Sequence, residues 1–274
     1  MYLGLANIEF EDNDFGCSSF LAKTQEGDYL AGRNYDFSES EELVFYTNPS
    51  DGFASIGMTE LRAMGIGDNY GIAPDSFIGK ATLLCAPYCT MDGVNEKGVM
   101  VSVLQLNLGG LHQDNGKPDI GLWVAIRLIL DRAESTDHAI RLLEQYDIHN
   151  VGAYAHHLFI SDSTGNSVVV EWKGNEMIVD KNQPAATNFR HYIVIDKSSY
   201  KGGCTRYDTI IQWLTNHSST TAEQAMNVLE SISKNEGGYP TQWSSVYYLN
   251  NFCMDVTIDR NYNKVYHFTA DDFN

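Results

Sequence analysis

Basic residues are scarce in this chain. Across 274 residues, 18 Lys and Arg stand against 36 Asp and Glu, a formal net charge of −18. That shortage argues against a nucleic-acid backbone or an anionic membrane as partner, since both select for clustered cations. Long hydrophobic runs are also missing, and no stretch reaches the length of a membrane span. Read from Met1, the N-terminus has no basic start of the secretory type and carries Glu9, Glu11, Asp12 and Asp14 instead. As it stands this places the protein in the cytoplasm, or outside the cell if an upstream signal has been trimmed. Cysteine is sparse and odd in number: Cys17, Cys85, Cys89, Cys204 and Cys253 do not make a disulfide framework. Cys85-x-x-x-Cys89 is the one close pair. With no nearby histidine or second pair to complete a zinc site, it reads as a disulfide or two buried thiols. No linker rich in Pro or Ser, no internal repeat and no low-complexity tract divides the chain, so one domain is expected.

Hydrophobic residues, at 43%, are enough for a sizeable core. Tyr2 to Phe10 alternates weakly and reads as a strand that dissolves into acidic residues. Cys17–Lys23 and Tyr29–Arg33, joined by Gln25-Glu26-Gly27-Asp28, predict a hairpin that brings Cys17 close to Arg33 and Asp36. Leu43–Tyr46 is a further strand, whereas Asn48–Asp75, with glycines at 52, 57, 65, 67 and 71, reads as loop. Its Gly65-Ile66-Gly67 lacks the third glycine of a dinucleotide fingerprint, which falls at Tyr70. Met91–Gly98 reads as a turn into the strand Val99–Leu106. Helices are predicted from Ile120 to Arg132, opened by Pro118-Asp119, and from the cap Ser135-Thr136 to about Tyr146. A meander follows over His157–Ser161, Ser167–Trp172 and Glu176–Val179, with Ala185–Asn188 continuing the same sheet. Arg206–Leu214 and Thr220–Ser233 are helical. The second carries a Thr220-x-x-Glu223 capping box and ends at Gly237-Gly238. Strands over Ser244–Asn250, Met254–Asp259 and Lys264–Phe268 close the chain. Strands, two helices, strands, two helices, strands is an α+β order that fits helices layered around two packed sheets.

Cys17 is the candidate nucleophile. A thiol with an ordinary pKa near 8.5 is mostly protonated at neutral pH and needs a base. No histidine holds a persuasive position: His156 and His157 lead a strand, and the others lie in loops or on helices. The alternative base is the α-amino group of the nucleophile itself, which requires the bond before Cys17 to be cut. Gly16 permits the tight backbone such a cut needs.

Cys17, Gly32-Arg33-Asn34-Tyr35-Asp36, Asp92-Gly93-Val94-Asn95-Glu96-Lys97-Gly98, Thr187-Asn188 and Thr205-Arg206 occur in that order. Together they resemble the choloylglycine hydrolase family of N-terminal-nucleophile amidases, which includes bile salt hydrolases, penicillin V acylases and acid ceramidase-type enzymes. The resemblance covers nearly all of the chain after residue 16. It implies a four-layer αββα fold, with residues 1–16 as a propeptide and 17–274 as the catalytic domain. It also implies a zymogen, autocatalytic cleavage between Gly16 and Cys17, and hydrolysis of a linear C–N amide in a small N-acyl substrate, with no metal or organic cofactor. By position, Cys17 supplies thiol and amine, Arg33 lowers the thiol pKa, and Asp36 orients the amine. Asn188 donates to the oxyanion, and Arg206 closes the charge network. The second oxyanion donor departs from the family: Gln105 stands where an asparagine or tyrosine is usual, with Asn107 on the same side two residues on. Gln105 is preferred, acting through its backbone N–H. The segment between Asn188 and Arg206 is shorter than the one bile salt hydrolases use to assemble. This argues against their tetramer and leaves another homo-oligomer open. The same residues would serve an acyltransferase of the isopenicillin type, and an unprocessed, silent binding protein is the alternative from another class.

Overall fold

Gly16–Lys23 and Tyr29–Asp36 form strands β1 and β2 of a hairpin in the computed structural model, which describes residues 16–38, 41–67, 70–150, 154–193, 204–235 and 238–273. The strand expected over Tyr2–Phe10, and the expected propeptide apart from Gly16, lie outside these residues. After the hairpin come β3 (Glu42–Thr47), β4 (Ser55–Glu60), the short helix α1 (Phe77–Thr82), β5 (Asp92–Asn95), β6 (Met100–Leu108) and β7 (Asp119–Gly121). Helices α2 (Leu122–Arg132) and α3 (Thr136–Leu143) precede β8 (Asp147–His149), β9 (Tyr154–Ser161), β10 (Ser167–Lys173), β11 (Glu176–Lys181) and β12 (Ala185–Ala186). Helices α4 (Thr205–Asn216) and α5 (Ala222–Ser231) lead to β13 (Thr241–Tyr248), β14 (Cys253–Ile258) and β15 (Tyr266–Thr269).

Two antiparallel sheets result. A six-stranded sheet runs β12-β1-β2-β13-β14-β15, and a seven-stranded sheet runs β11-β10-β9-β6-β5-β4-β3. Helices α4 and α5 cover the first, and α2 and α3 cover the second. This is the expected α+β, four-layer αββα arrangement.

Strand alternation sets what each layer receives. On β1 and β2 the odd positions Cys17, Leu21, Ala31 and Tyr35 join the core between the sheets, and Ser19 Oγ meets Ser102 Oγ across it at 2.8 Å. The even positions Phe20, Ala22 and Leu30 pack with Ile210 of α4 and Leu229 of α5. Asn34 Nδ2 donates to the Leu229 carbonyl at 2.8 Å, ending the even row on the helix side.

Several boundaries differ from expectation, each for a tertiary reason. The loop expected over Asn48–Asp75 contains β4, a fully buried strand. Its Gly57 reads as a breaker, but a Cβ there would lie 2.6 Å from the Phe45 ring of β3, so the glycine makes room for a cross-strand aromatic. Asp92–Asn95 is a strand rather than the start of the turn, paired on both sides by β4 and β6. Asp119–Gly121 pairs in parallel with β8 instead of opening α2. Ala185–Ala186 leaves the meander and joins the other sheet beside β1. The capping box of α5 is Thr221 with Gln224, one residue on from the expected pair, and the helix ends at Ser231 well before Gly237-Gly238. Cys85 and Cys89 are free, with Cys85 exposed, so they are neither a disulfide nor two buried thiols.

Candidate active site

At the start of β1 the chain opens onto a cleft of about 520 Å³ lined by Cys17, Tyr35, Gln105, Trp123, Tyr154 and His156, among others. Most of the lining is aromatic or aliphatic. Cys17 is only 5% exposed at its floor. Burial pushes the Cys17 thiol up from its ordinary pKa, against the pull of the Arg33 guanidinium, and the Asp36 carboxylate adds to the rise. With Gly16 still attached, this thiol has no amine to take its proton.

Hairpin register puts Ser19 opposite Arg33, Cys17 opposite Tyr35 and Gly16 opposite Asp36. Arg33 is therefore on the same face as Cys17, fully buried between the sheets. Its Nη2 donates to the Val103 carbonyl at 2.6 Å and its Nε to Asp92 Oδ2 at 3.5 Å. Burial alone would lower the guanidinium, but the Cys17 sulfur and the Asp92 carboxylate outweigh it and raise the pKa on balance. Asp92 also accepts from Trp243 Nε1 at 3.1 Å and from the Tyr247 hydroxyl. Trp243 in turn stacks on Tyr35 with ring centroids 4.0 Å apart. Asp92 belongs to the Asp92–Gly98 motif, but nothing in the sequence ties it to an arginine 59 residues away. It is a site residue that sequence reasoning did not assign.

Asp36 approaches from the opposite, helix-covered face. Its Oδ1 accepts from the Thr241 hydroxyl at 2.7 Å, and Thr241 accepts the Lys234 N–H at 2.8 Å. Thr241 sits where the β2–β13 register shifts, so an irregularity in the ladder aims it; no sequence pattern signals this. Asp36 Oδ2 faces Arg206 Nη1 at 3.4 Å and lies against Gly16. Burial pushes the Asp36 carboxyl up, while Arg206 and Thr241 pull it down. Gly16 is extended within β1 and outside the left-handed region, so backbone strain does not explain it. Space does. A Cβ there would meet Asp36 Oδ2 at 2.4 Å, Lys234 Cδ at 2.8 Å and Arg206 Nη1 at 2.9 Å.

Asn188 closes the site. Its Oδ1 accepts from the Cys17 backbone N–H at 2.6 Å and from Arg206 Nη2 at 3.1 Å, and its Nδ2 donates to the Gln105 carbonyl at 2.7 Å. Arg206 Nη1 donates to the Cys17 carbonyl at 2.8 Å. All six residues singled out from the sequence thus converge on the Gly16–Cys17 junction or the cleft above it. The Asn107 side chain lies outside the described residues. His156 does line the cleft, which its place in the sequence did not suggest. Burial lowers its pKa to about 4, and Nδ1 lies 3.0 Å from Asn150 Nδ2, so it is a neutral, weakly basic ring. Among the described residues there is no cluster of His, Cys, Asp and Glu able to hold a metal ion, and no helix is long and apolar enough to cross a membrane.

The family model for linear amide C–N hydrolases, choloylglycine hydrolase family, matches residues 17–202. No curated protein sequence matches the chain. Among solved structures, a mutant of the conjugated bile acid hydrolase from Clostridium perfringens is similar with a TM-score of 0.72 at 17% identity, over 94% of this chain and 93% of its own. A second variant of that hydrolase gives a TM-score of 0.71 at 17% identity, covering 94% of each chain. The penicillin V acylase from Agrobacterium tumefaciens gives 0.62 at 16% identity, over 93% of this chain and 86% of its own. These structural likenesses speak for the fold.

Proposed function

Because the chain belongs to the choloylglycine hydrolase family and is a linear amide C–N hydrolase of the N-terminal-nucleophile fold, we propose that Cys17 is its nucleophile and that cleavage after Gly16 makes it active. The family match itself begins at residue 17. The observation that carries the reading is the setting of the Cys17 nitrogen, which already donates to Asn188 Oδ1 at 2.6 Å. Cutting the Gly16–Cys17 bond turns that amide into an amine with its partner in place and Asp36 and Arg206 close by.

In the proposed maturation, the Cys17 sulfur adds to the Gly16 carbonyl and the C–N bond breaks. The resulting thioester is hydrolysed, leaving a Gly16 carboxylate, a free thiol and the Cys17 amine. In turnover the amine, with an ordinary pKa of about 7.7–8.0, takes the thiol proton as sulfur attacks the amide carbonyl. The proton passes to the leaving nitrogen, the acyl group remains as a thioester, and water then releases the acid. Arg33 stabilises the thiolate: its Nη1 is buried without a hydrogen-bond partner among the described residues and would be satisfied by a sulfur anion. An amide NH₂ carries two hydrogens, and Gln105 takes only one from Asn188. The other is the proposed oxyanion donor, beside the Gln105 backbone N–H. The apolar cleft is the acyl site for an uncharged, hydrophobic N-acyl group.

Intact mass and a panel of N-acyl amides test this together. The expected result is loss of residues 1–16 and release of free acid from an apolar substrate; a persistently full-length, inert protein overturns it. Gly16→Ala gives a narrower check. The added Cβ must displace Asp36 or Arg206, so self-cleavage is expected to slow about tenfold or more, read as full-length mass persisting over time.

A further inference from the structure

Glu171, in β10, is 1% exposed and does not line the cleft. No Lys or Arg among the described residues pairs with it. Instead its Oε1 accepts from the His191 backbone N–H at 2.8 Å and from His157 Nδ1 at 2.9 Å, and its Oε2 from the Tyr192 N–H at 2.9 Å. The His157 donor is assigned from its carboxylate partner. Burial alone would push this carboxyl up, but His157 and the two backbone amides leave it lowered.

Those two amides open the short helical turn His191–Ile193, three and four residues after Asn188. On the other side of Asn188 the chain is tied to the opposite sheet. Ala185 and Ala186 pair with Phe20 and Ser19 of β1, and the Thr187 hydroxyl donates to Cys204 Sγ at 3.3 Å. The segment from 185 to 192 therefore bridges the two sheets with Asn188 between its anchors. Glu171 is its anchor on the seven-stranded side. The His191 ring adds to it, stacked on Phe189 at 4.7 Å and bonded through Nδ1 to Asp180 at 3.2 Å. From this bridge Asn188 reaches Cys17, Arg206 and Gln105 at once.

We propose that Glu171 is a positioning residue of the amidase: by gathering the His191 and Tyr192 amides, it fixes the bridge that holds Asn188 over the nucleophile. The chemistry requires a carboxylate. Three donors converge on two oxygens that only accept, and a glutamine in the same place turns an NH₂ toward at least one of them. Without the carboxylate, the seven-stranded end rests on the His191–Asp180 bond and on Asn188's own bond to Gln105, and small misplacements of a donor aimed at developing charge are costly in rate.

This inference rests on Asn188 serving the oxyanion, and a double-mutant cycle separates the two. Steady-state kinetics on an N-acyl amide substrate and intact mass are measured for Glu171→Gln, Asn188→Ala and the double variant. Asn188→Ala is expected to lose about 10²–10³ in kcat. Glu171→Gln is expected to self-process, keep KM within about twofold, and lose about tenfold or more in kcat, with the double variant no slower than Asn188→Ala alone. Wild-type kcat in Glu171→Gln, or losses that multiply in the double variant, overturns the role of Glu171 and leaves that of Asn188 standing. Full activity in Asn188→Ala overturns the oxyanion reading and this inference with it. Should Glu171→Gln not fold, His157→Phe removes one of the three donors at similar volume. The same coupling to Asn188 is then expected, and independence of the two substitutions overturns the proposal.

Discussion

A Cys17→Ala variant is expected to keep its full-length mass and lose amide hydrolysis by a factor on the order of 10⁴ or more, the scale seen when a covalent nucleophile is removed. In the proposed mechanism both losses have one cause: the same sulfur opens the Gly16 peptide bond and the substrate amide. The substitution itself is mild, because it deletes one buried atom and adds no bulk to the packed face of β1. Circular dichroism and melting should therefore stay close to wild type. Product analysis by mass spectrometry and intact mass of the purified protein read the two outcomes separately. Residual hydrolysis near the wild-type rate would remove Cys17 from the mechanism. Cleavage after Gly16 without hydrolysis would confine it to turnover.

The second large effect is on stability, from Asp92→Ala. Asp92 is fully buried and accepts from Arg33, Trp243 and Tyr247. Removing it leaves a buried guanidinium without its hydrogen-bonded carboxylate, with Asp36 as the remaining carboxylate acting on it, a change that typically costs about 3–5 kcal/mol. For a domain of this size the melting temperature should fall by roughly 10 °C or more, with a matching drop in the urea midpoint. Asp92→Asn, which keeps an acceptor and the shape, should lose less. Activity should fall in both, because Arg33 sets the field at the Cys17 sulfur. An Asp92→Ala protein within about 1 kcal/mol of wild type would show that Arg33 is stabilised by its Val103 bond and its surroundings without the carboxylate.

Four residues of this site were legible in the sequence because they are local, while Gln105, Asn188 and Arg206 were named only through the family resemblance. The β1–β2 hairpin carries Gly16, Cys17, Arg33 and Asp36 within 21 residues, and a tight turn fixes the register that brings them together. The helix pairs and the final strands follow from periodicity and turn residues, whereas the four-layer order followed from the family resemblance and not from periodicity. What escaped was set by distant partners. β4 looked like loop because Gly57 answers to a ring on β3, and Ala185–Ala186 changed sheets because β1 offers an open edge. Thr241 and Glu171 carry no signature, and the motif that holds Asp92 does not name its partner, since each acts on a group distant in sequence.

The hairpin also marks where sequence stops deciding. It determined that a cysteine follows a glycine, that an arginine and an aspartate stand sixteen and nineteen residues on, and that all would share one ladder. Strand alternation then put Arg33 and Asp36 on opposite faces, and only the stacking of layers gave those faces different chemistry. Between the sheets, Arg33 acts on the sulfur and is itself held by Asp92; on the helix side, Asp36 is held by Thr241 and Arg206 beside the Gly16–Cys17 bond, whose N–H Asn188 takes. Sulfur and backbone of one residue thus meet different partners on the two faces, although the charges of Asp36 and Arg206 also reach the sulfur. Side-chain direction is a local property of a strand, but what it meets depends on which layer packs there.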